Sequence, residues 1–293
     1  MRLDFVETLP MRAANTNTRP RFAVPPHSCD THFHAFESGY SHVPDPLYTF
    51  PEGTVEQYVQ LADWLGLERM VLVQPTYYGS DNRLLVDTLK RLGPHCRGVV
   101  RIDDITEDAV LDGYHDIGVR AIRLDLFARA EWPLDQLIAY IEDMTERARR
   151  RDWHLQFYTP GTVVRDLLPF FCEFDYPFVI DHMGYMKESE GLTADDFGQL
   201  LDVMARGYCY VKLSGPYRLA GDKPLSSVEA VGTALVSSRA DRLIWGSDWP
   251  HIPNGQRDTG ELLNLLADWA PREEDRHQIL VETPAHLFFD GET

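Results

Sequence analysis

Residues 28–36 read Ser-Cys-Asp-Thr-His-Phe-His-Ala-Phe, a stretch that carries two histidines separated by one residue. Alternate side chains of a β-strand point to the same face, so His32 and His34 are predicted to project in one direction. Two imidazoles that face one point can ligate a metal ion or polarise a carbonyl group. Taken alone, the pair is a weak signal, and two polar residues at a strand end would be the more common interpretation. Its position favours function, because it opens a long alternation of strand and helix patterns.

This alternation predicts the fold. Thr54-x-x-Gln57 before an apolar-periodic segment is typical of a helix start, and Gly66 is typical of a helix end. Apolar runs such as 69–74 lack a clean alternation, which indicates strands covered on both faces, as in a parallel sheet. The predicted strands are 28–36, 69–74, 96–103, 119–126, 154–158, 178–182, 209–213 and 242–245, and a helical pattern follows each of them.

Eight β/α units in about 250 residues predict an α/β protein with a single (β/α)8 TIM barrel. A doubly wound open sheet is the alternative. No G-x-G-x-x-G follows any strand, which weakens a dinucleotide-binding version of that fold. The barrel is predicted to span 26–293. Residues 1–25 are polar and Pro-rich and form a predicted N-terminal extension that wraps the surface or stays mobile.

Composition excludes several classes of protein. The chain has 293 residues and a net charge of −18, which argues against a general nucleic-acid binder, since phosphate binding needs a basic surface. No apolar run approaches the ~20 residues of a membrane helix, and the N-terminus has no secretion signal. The four cysteines are widely spaced, as expected for reduced thiols in a cytoplasmic protein. Oligomeric state is left open by the sequence.

Polar residues follow several of the predicted strands, where the active sites of (β/α)8 barrels lie. Each has a structural alternative. His182 could be a hydrogen-bonded core residue, Asp248 could cap a turn, and Arg123 could pair with Asp125 or Asp103. Together, several histidines, an aspartate and several arginines at one end of a barrel would be costly to bury without a function.

The chemistry that these residues suggest is attack of water on a carbonyl group. Asp248 is the natural general base, because a carboxylate beside histidines can hold and deprotonate water. The histidines can polarise the carbonyl oxygen, directly or through a bound divalent ion. The arginine guanidinium groups can form bidentate hydrogen bonds with anionic groups, and further polar side chains can contact the substrate. The predicted catalytic residues are Asp248, His32, His34 and His182, and the predicted substrate contacts are Arg123, Arg129, Arg218, Tyr48, Thr76, Tyr158 and His251.

Three motifs carry a family resemblance: Asp-Thr-His-Phe-His at 30–34, Ile-Asp-His-Met-Gly at 180–184 and Ile-Trp-Gly-Ser-Asp-Trp-Pro-His at 244–251. From about residue 25 onward the chain resembles the amidohydrolase superfamily, and within it the lactonase branch that includes 2-pyrone-4,6-dicarboxylate lactonases. The resemblance implies a (β/α)8 barrel that hydrolyses a lactone ester. It also implies that Asp248 activates water, that the three histidines surround the attacked carbonyl, and that the three arginines hold substrate carboxylates.

Departures from the pyrone-lactonase pattern concern the substrate. Tyr185 stands where that pattern has an arginine, and residues 212–215 are more similar to those of sugar lactonases in the same branch. The expected substrate is an anionic lactone from aromatic-compound catabolism, similar to 2-pyrone-4,6-dicarboxylate. The alternatives are a sugar-acid or sulfonated muconolactone, or a lactone isomerase or metal-dependent decarboxylase on the same scaffold. A non-catalytic anion-binding barrel would not need Asp248 beside three histidines.

The resemblance also bears on cofactors. Binuclear members of the superfamily carry a bridging Lys or Glu on strand four and a histidine on strand five, whereas this chain has Arg123 and Tyr158 there. A binuclear centre is therefore not expected. His32, His34, His182 and Asp248 could hold one Zn²⁺ or Mn²⁺, which three histidines and a carboxylate suit. The expectation is a site that does not require a metal.

Overall fold

Eight parallel strands form one sheet in sequence order in the computed structural model, which describes residues 7–292. The first and last strands are also in contact. The Thr31 hydroxyl on the first strand donates a hydrogen bond to the Trp245 carbonyl on the last strand at 2.8 Å. This contact closes the sheet, so the predicted (β/α)8 barrel is confirmed and the open sheet is excluded. The strands are β1 Cys29–Phe33, β2 Arg69–Val73, β3 Cys96–Val100, β4 Val119–Asp125, β5 His154–Tyr158, β6 Phe178–Ile180, β7 Cys209–Leu213 and β8 Leu243–Trp245.

Helices lie between the strands and cover the outside of the barrel. The predicted capping box is present at the first helix, where the Thr54 hydroxyl accepts from Gln57 N and Gly66 ends the helix with a φ of 80°. Within residues 7–292, no helix combines the length and the apolar character needed to cross a membrane. The helices are α1 Val55–Leu65, α2 Arg83–Leu92, α3 Asp108–Asp116, α4 Leu134–Arg149, α5 Gly161–Glu173, α6 Ala194–Ala205, α7 Pro216–Ala220, α8 Glu229–Arg239, α9 Thr259–Trp269, α10 Glu273–His277 and α11 Thr283–Phe288.

Two helical segments differ from the sequence prediction. Residues 273–288 do not form one regular α-helix, because a π-helical turn, Gln278–Glu282, lies between α10 and α11. After β7 the chain forms two helices where one helical pattern was predicted, because the short helix α7 precedes α8. Five residues are too few for an apolar period to be recognised. The helix α7 carries two residues of the active site, Tyr217 and Arg218.

The interior of the barrel changes character along its axis. Phe288 and Phe289 close an apolar cluster inside the barrel, and the Phe289 ring packs against the guanidinium groups of Arg69 in β2 and Arg97 in β3. Toward the carboxyl ends of the strands the buried side chains become polar. They are His32, Arg123, Gln156, Asp181 and Lys212. Because buried polar groups need partners, this end of the barrel contains an extended polar network.

The chain before β1 runs along the surface and is held by specific contacts. Thr18 N donates to Asp258 Oδ1 at 2.9 Å, and Thr259 N donates to Asn17 Oδ1 at 2.8 Å, so the segment is tied to the start of α9. The Arg19 guanidinium lies 3.4 Å from the centre of the Trp64 ring on α1. The predicted extension 1–25 begins outside the described residues, which start at residue 7.

Substitution of Gly260 tests this tie. An added Cβ at Gly260 would lie 1.7 Å from Thr18 O, so Gly260→Ala must displace the segment. The expected result is a free energy of unfolding lower by about 1–3 kcal/mol, measured by denaturant unfolding, and faster proteolysis near residue 18. Gly198→Ala in α6 is the matched control, since nothing lies within 4 Å of its added Cβ. Equal stability of the two variants would refute the close packing.

Candidate active site

A cavity of about 880 Å³ opens at the carboxyl ends of the strands. Most of the predicted residues line it, while His32 lies fully buried directly behind His34 and Asp248. Carboxylates of Asp45, Asp125 and Glu131 form part of its wall. The predicted residues that line the cavity are His34, Tyr48, Thr76, Arg123, Tyr158, His182, Arg218 and Asp248.

The two histidines of the opening stretch converge, although only His32 lies within β1. The pairing register of β1 shifts between Asp30 and Phe33, and the strand ends before His34. Asp30 holds this kink, because its Oδ1 accepts from the backbone N of His32 and of Ser247, each at 2.9 Å. As a result the Nε2 atoms of His32 and His34 lie 3.2 Å apart.

Asp248 is brought beside these histidines by the chain that leaves β8. Its backbone N donates to His32 O at 2.8 Å, and its φ of 60° lies in the left-handed region. The approach requires glycine at 246, since an added Cβ there would lie 2.5 Å from the Cβ of His32. A left-handed non-glycine residue costs roughly 1–3 kcal/mol, and such strain is concentrated at functional sites.

The two carboxylate oxygens of Asp248 have different surroundings. Oδ2 accepts hydrogen bonds from the Tyr217 hydroxyl and from Arg218 Nε at 2.8 Å, and Arg218 Nη2 lies 2.7 Å away. Oδ1 has no hydrogen-bond partner among residues 7–292. It faces the Nε2 atoms of three histidines, at 3.7 Å for His32, 3.8 Å for His34 and 3.9 Å for His182. A water molecule bound to Oδ1 would therefore also meet these imidazoles.

Burial and charge set the protonation states of this group. Burial lowers the pKa of His34 to about 3 and that of His182 to about 4, and it lowers the pKa of His32 as well. Burial alone would raise the pKa of Asp248, but the Arg218 guanidinium and the imidazoles hold it well below its usual value. At neutral pH the site therefore contains a carboxylate and three neutral imidazoles, as a general base and carbonyl-polarising groups require.

His182 is held in place by an unusual backbone. His182, Met183 and Tyr185 have φ values of 53°, 53° and 51°, and Gly184 between them is also left-handed. The imidazole Nδ1 of His182 lies 2.9 Å from the hydroxyl of Ser214 at the end of β7. The tight turn after β6 thus directs Nε2 toward Asp248.

The predicted arginines occupy three different environments. Arg123 lines the cavity, donates from Nη1 to Gln74 O at 2.9 Å, and stacks on the Tyr158 ring. Arg218 also lines the cavity but already pairs with Asp248. Arg129 does not line the cavity; its guanidinium lies 4.4 Å from the ring centre of Tyr140.

The contacts of His251 and Arg123 are not the ones that the sequence suggested. His251 is buried outside the cavity lining, with Nε2 2.9 Å from the Thr259 hydroxyl. A contact between His251 and substrate therefore stays a prediction without a structural counterpart. Asp125, considered as a partner of Arg123, instead forms its ion pair with Arg101 at 3.5 Å.

Sequence reasoning missed the role of Tyr217, which binds the base directly. The only available signal was its position beside Arg218, just after β7. Lys212 lies within β7 and is fully buried, so its charge needs a carboxylate partner inside the barrel. The structure supplies that carboxylate, since Asp181 Oδ1 lies 3.2 Å from Lys212 Nζ.

The positions of the histidine nitrogens and carboxylate oxygens show whether the site could hold a single metal ion. His32, His34 and Asp248 offer ligand atoms that lie within 4.8 Å of one another, as do His32, Asp181 and His182. The unpartnered Oδ1 of Asp248 suits an ion as well as a water molecule. The residue types therefore fit one Zn²⁺ or Mn²⁺, provided that each coordinating imidazole nitrogen presents a lone pair.

The stretch that builds this site matches a known family. The model of the amidohydrolase family Amidohydro_2 matches residues 29–289, from the first strand to the end of the last helix. The chain belongs to this amidohydrolase family. The resemblance identified from the three sequence motifs is thus confirmed.

This amidohydrolase has characterised relatives of similar length. It is 32% identical over 279 residues to 4-sulfomuconolactone hydrolase of Hydrogenophaga intermedia, which covers 92% of this chain and 90% of the relative. It is 31% identical over 291 residues to 2-pyrone-4,6-dicarboxylate hydrolase of Comamonas testosteroni, with 94% of each chain covered. It is also 28% identical over 285 residues to D-galactarolactone isomerase of Agrobacterium fabrum, covering 93% and 94%.

The low pKa values predict the pH dependence of this amidohydrolase. As pH falls through about 4 and then about 3, His182 and His34 gain protons, and their positive charges pair with the Asp248 carboxylate and weaken it as a base. The value of kcat/KM should therefore stay flat from about pH 8 down to about pH 5 and decline only below that. Steady-state kinetics across this range measures the acid limb. A decline centred near the ordinary histidine pKa would show that a site imidazole titrates normally.

Proposed function

We propose that this amidohydrolase hydrolyses an anionic lactone, with Asp248 as the general base that activates water. One observation carries the proposal: Asp248 Oδ1 is unpartnered and faces three imidazole nitrogens at the base of a cavity that Arg123 also lines. The names of the three relatives support it, because each of them acts on a lactone.

The reaction follows from the two environments of the carboxylate. Tyr217 and Arg218 fix Oδ2, so Oδ1 is free to take a proton from water. The water oxygen forms a bond to the lactone carbonyl carbon, and the carbonyl electron pair moves to its oxygen. An imidazole N–H from the cavity-lining His182 can stabilise that oxyanion; a single such donor typically lowers the barrier by about 3–4 kcal/mol. The ring C–O bond then breaks, and the leaving oxygen takes the proton from Asp248.

The cavity wall bears on the substrate. Arg123 and Arg218 place positive charge near the base, and Tyr48, Thr76 and Tyr158 add hydroxyl groups. An anionic group of the substrate would bind near Arg123, whose Nε has no hydrogen-bond partner among the described residues. A lactone similar to 2-pyrone-4,6-dicarboxylate is the first choice. Sulfonated muconolactones and sugar-acid lactones come next, the latter because Asp45 and Asp125 can accept from sugar hydroxyls.

We propose further that no metal is required. The alternative is one Zn²⁺ or Mn²⁺ held by His32, His34, His182 and Asp248, which would polarise the carbonyl as a Lewis acid. Activity that survives dialysis against a chelator, with metal content measured in the same samples, supports the metal-free site. Strict loss that Zn²⁺ or Mn²⁺ restores would support the alternative and a metal-dependent decarboxylase.

The second candidate function is a lactone isomerase, which the similarity to D-galactarolactone isomerase favours. A spectrophotometric screen of pyrone dicarboxylate, sulfomuconolactone and sugar-acid lactones separates the two. Ring-opened product supports the hydrolase, and a product that keeps its ring identifies the isomerase. Binding without turnover across the panel would leave only an anion-binding barrel.

The Asp248→Asn variant tests the base. An amide cannot accept the proton of water, so kcat should fall by about 10²- to 10⁴-fold. Tyr217→Phe is the comparison: it removes one of the contacts to Oδ2 and keeps the base, so the loss should be about tenfold. Circular dichroism checks that both variants fold. Near-normal turnover in Asp248→Asn would contradict the assignment.

Two arginine variants test the position of the substrate anion. Arg123→Gln removes a cation from the cavity wall and should raise KM about ten- to a hundredfold, the usual loss for a hydrogen bond to a charged group. Arg129→Gln removes a cation that lies outside the lining, so KM should change by less than about threefold. A larger rise of KM in Arg129→Gln than in Arg123→Gln would show that the substrate anion binds at Arg129.

A further inference from the structure

Lys212 is a buried cation that the proposed reaction does not use directly. It lies within β7 and is fully buried. Its Nζ donates a hydrogen bond to Thr31 O at 3.1 Å and forms an ion pair with Asp181 Oδ1 at 3.2 Å. The third group around Nζ is His32 Nδ1, also at 3.2 Å. A buried lysine is costly unless its donors are paired, so these contacts belong together.

The contact with Lys212 decides which nitrogen of His32 carries the proton. A lysine ammonium group has donors and no acceptor, so His32 Nδ1 must present a lone pair to it. A neutral imidazole has one N–H, which then lies on Nε2. Nε2 is the nitrogen of His32 that faces Asp248 Oδ1.

His34 supports the same assignment from the other side. Its Nδ1 lies 2.7 Å from the Val73 carbonyl, which can only accept, so His34 carries its proton on Nδ1 and a lone pair on Nε2. The 3.2 Å contact between the two Nε2 atoms then joins the N–H of His32 to a lone pair of His34. With the other His32 tautomer, two lone pairs would face each other at that distance.

We propose that Lys212 is a positioning residue that holds His32 in the Nε2–H tautomer, and so keeps an N–H donor directed at His34 Nε2 and Asp248 Oδ1, where it orients both groups behind the reacting water. The inference rests on the proposed function for its catalytic consequence, but the tautomer itself does not. The same proton occupies the nitrogen through which His32 would coordinate a metal ion. Lys212 thereby disfavours coordination of Zn²⁺ or Mn²⁺ through His32 Nε2.

When Lys212 is replaced, Asp181 determines which ring nitrogen of His32 carries the proton. Its Oδ1 lies 3.5 Å from His32 Nδ1 and is the acceptor that could take an Nδ1–H. Its Oδ2 is held by Gln156 Nε2 at 3.0 Å. In Lys212→Met the proton of His32 should therefore move to Nδ1, which exposes a lone pair on Nε2 beside His34 Nε2 and Asp248 Oδ1.

The first experiment reads the tautomer in the wild-type chain. ¹⁵N-labelled histidine and long-range ¹H–¹⁵N correlation spectra distinguish a protonated from an unprotonated ring nitrogen, and the His32→Gln variant assigns the signals. A protonated Nε2 on His32 is the expected result. A protonated Nδ1 overturns the proposal, whether or not the chain hydrolyses lactones.

The second experiment compares Lys212→Met with Lys212→Gln, which keeps an N–H donor without the charge. In Lys212→Met we expect kcat to fall about 10²-fold at nearly constant KM, and Zn²⁺ to bind about tenfold more tightly by calorimetry. Lys212→Gln should recover part of kcat and keep the Nε2–H tautomer. Equal kcat and equal Zn²⁺ affinity in both variants and the wild type would refute the role, even if Asp248→Asn confirms the base.

Discussion

The seam between β1 and the chain after β8 is the constraint on which the site depends. Asp30 holds it with one buried carboxylate, which accepts from His32 N, Ser247 N and the Tyr58 hydroxyl. The backbone of Asp248 continues the seam by donating to His32 O. The general base and the first histidine are thus fixed by main-chain hydrogen bonds, which leaves their side chains available for chemistry. Burial raises the pKa of Asp30 to about 6, a sign of how completely the seam excludes water.

Around this seam, each polar side chain is oriented by a second one. Arg218 and Tyr217 hold one oxygen of Asp248, Ser214 contacts His182, and Lys212 contacts His32. Such supporting contacts keep reacting groups within the small tolerances that catalysis needs. Their charges are also balanced locally, because Lys212 pairs with Asp181 and Arg218 with Asp248. Cations buried without these carboxylates would be strongly destabilising.

The fold could be predicted from the sequence because each β/α unit has a local signature. Buried strands such as 69–73 are apolar runs, and α1 begins at the predicted capping box and ends at Gly66. Convergence of His32, His34, His182 and Asp248 could be predicted because barrel geometry brings strand ends together. Details that depend on packing could not. The short helix α7 has no periodicity to reveal it, and the pairing of Arg218 with Asp248 requires knowing the path of that helix. Arg129 likewise lies near the site in sequence but turns toward Tyr140.

If Asp248 directs water to the lactone carbonyl, the oxygen atom of that water must end in the carboxylate that the carbonyl becomes. The reaction is run for a single turnover in H₂¹⁸O with the substrate that the screen identifies, and the product is examined by mass spectrometry. Hydrolysis with Asp248 as the base places one ¹⁸O atom in the carboxylate derived from the ring carbonyl and none in the released hydroxyl or enol oxygen. An unlabelled product that retains its ring, or label on the released oxygen, would contradict it.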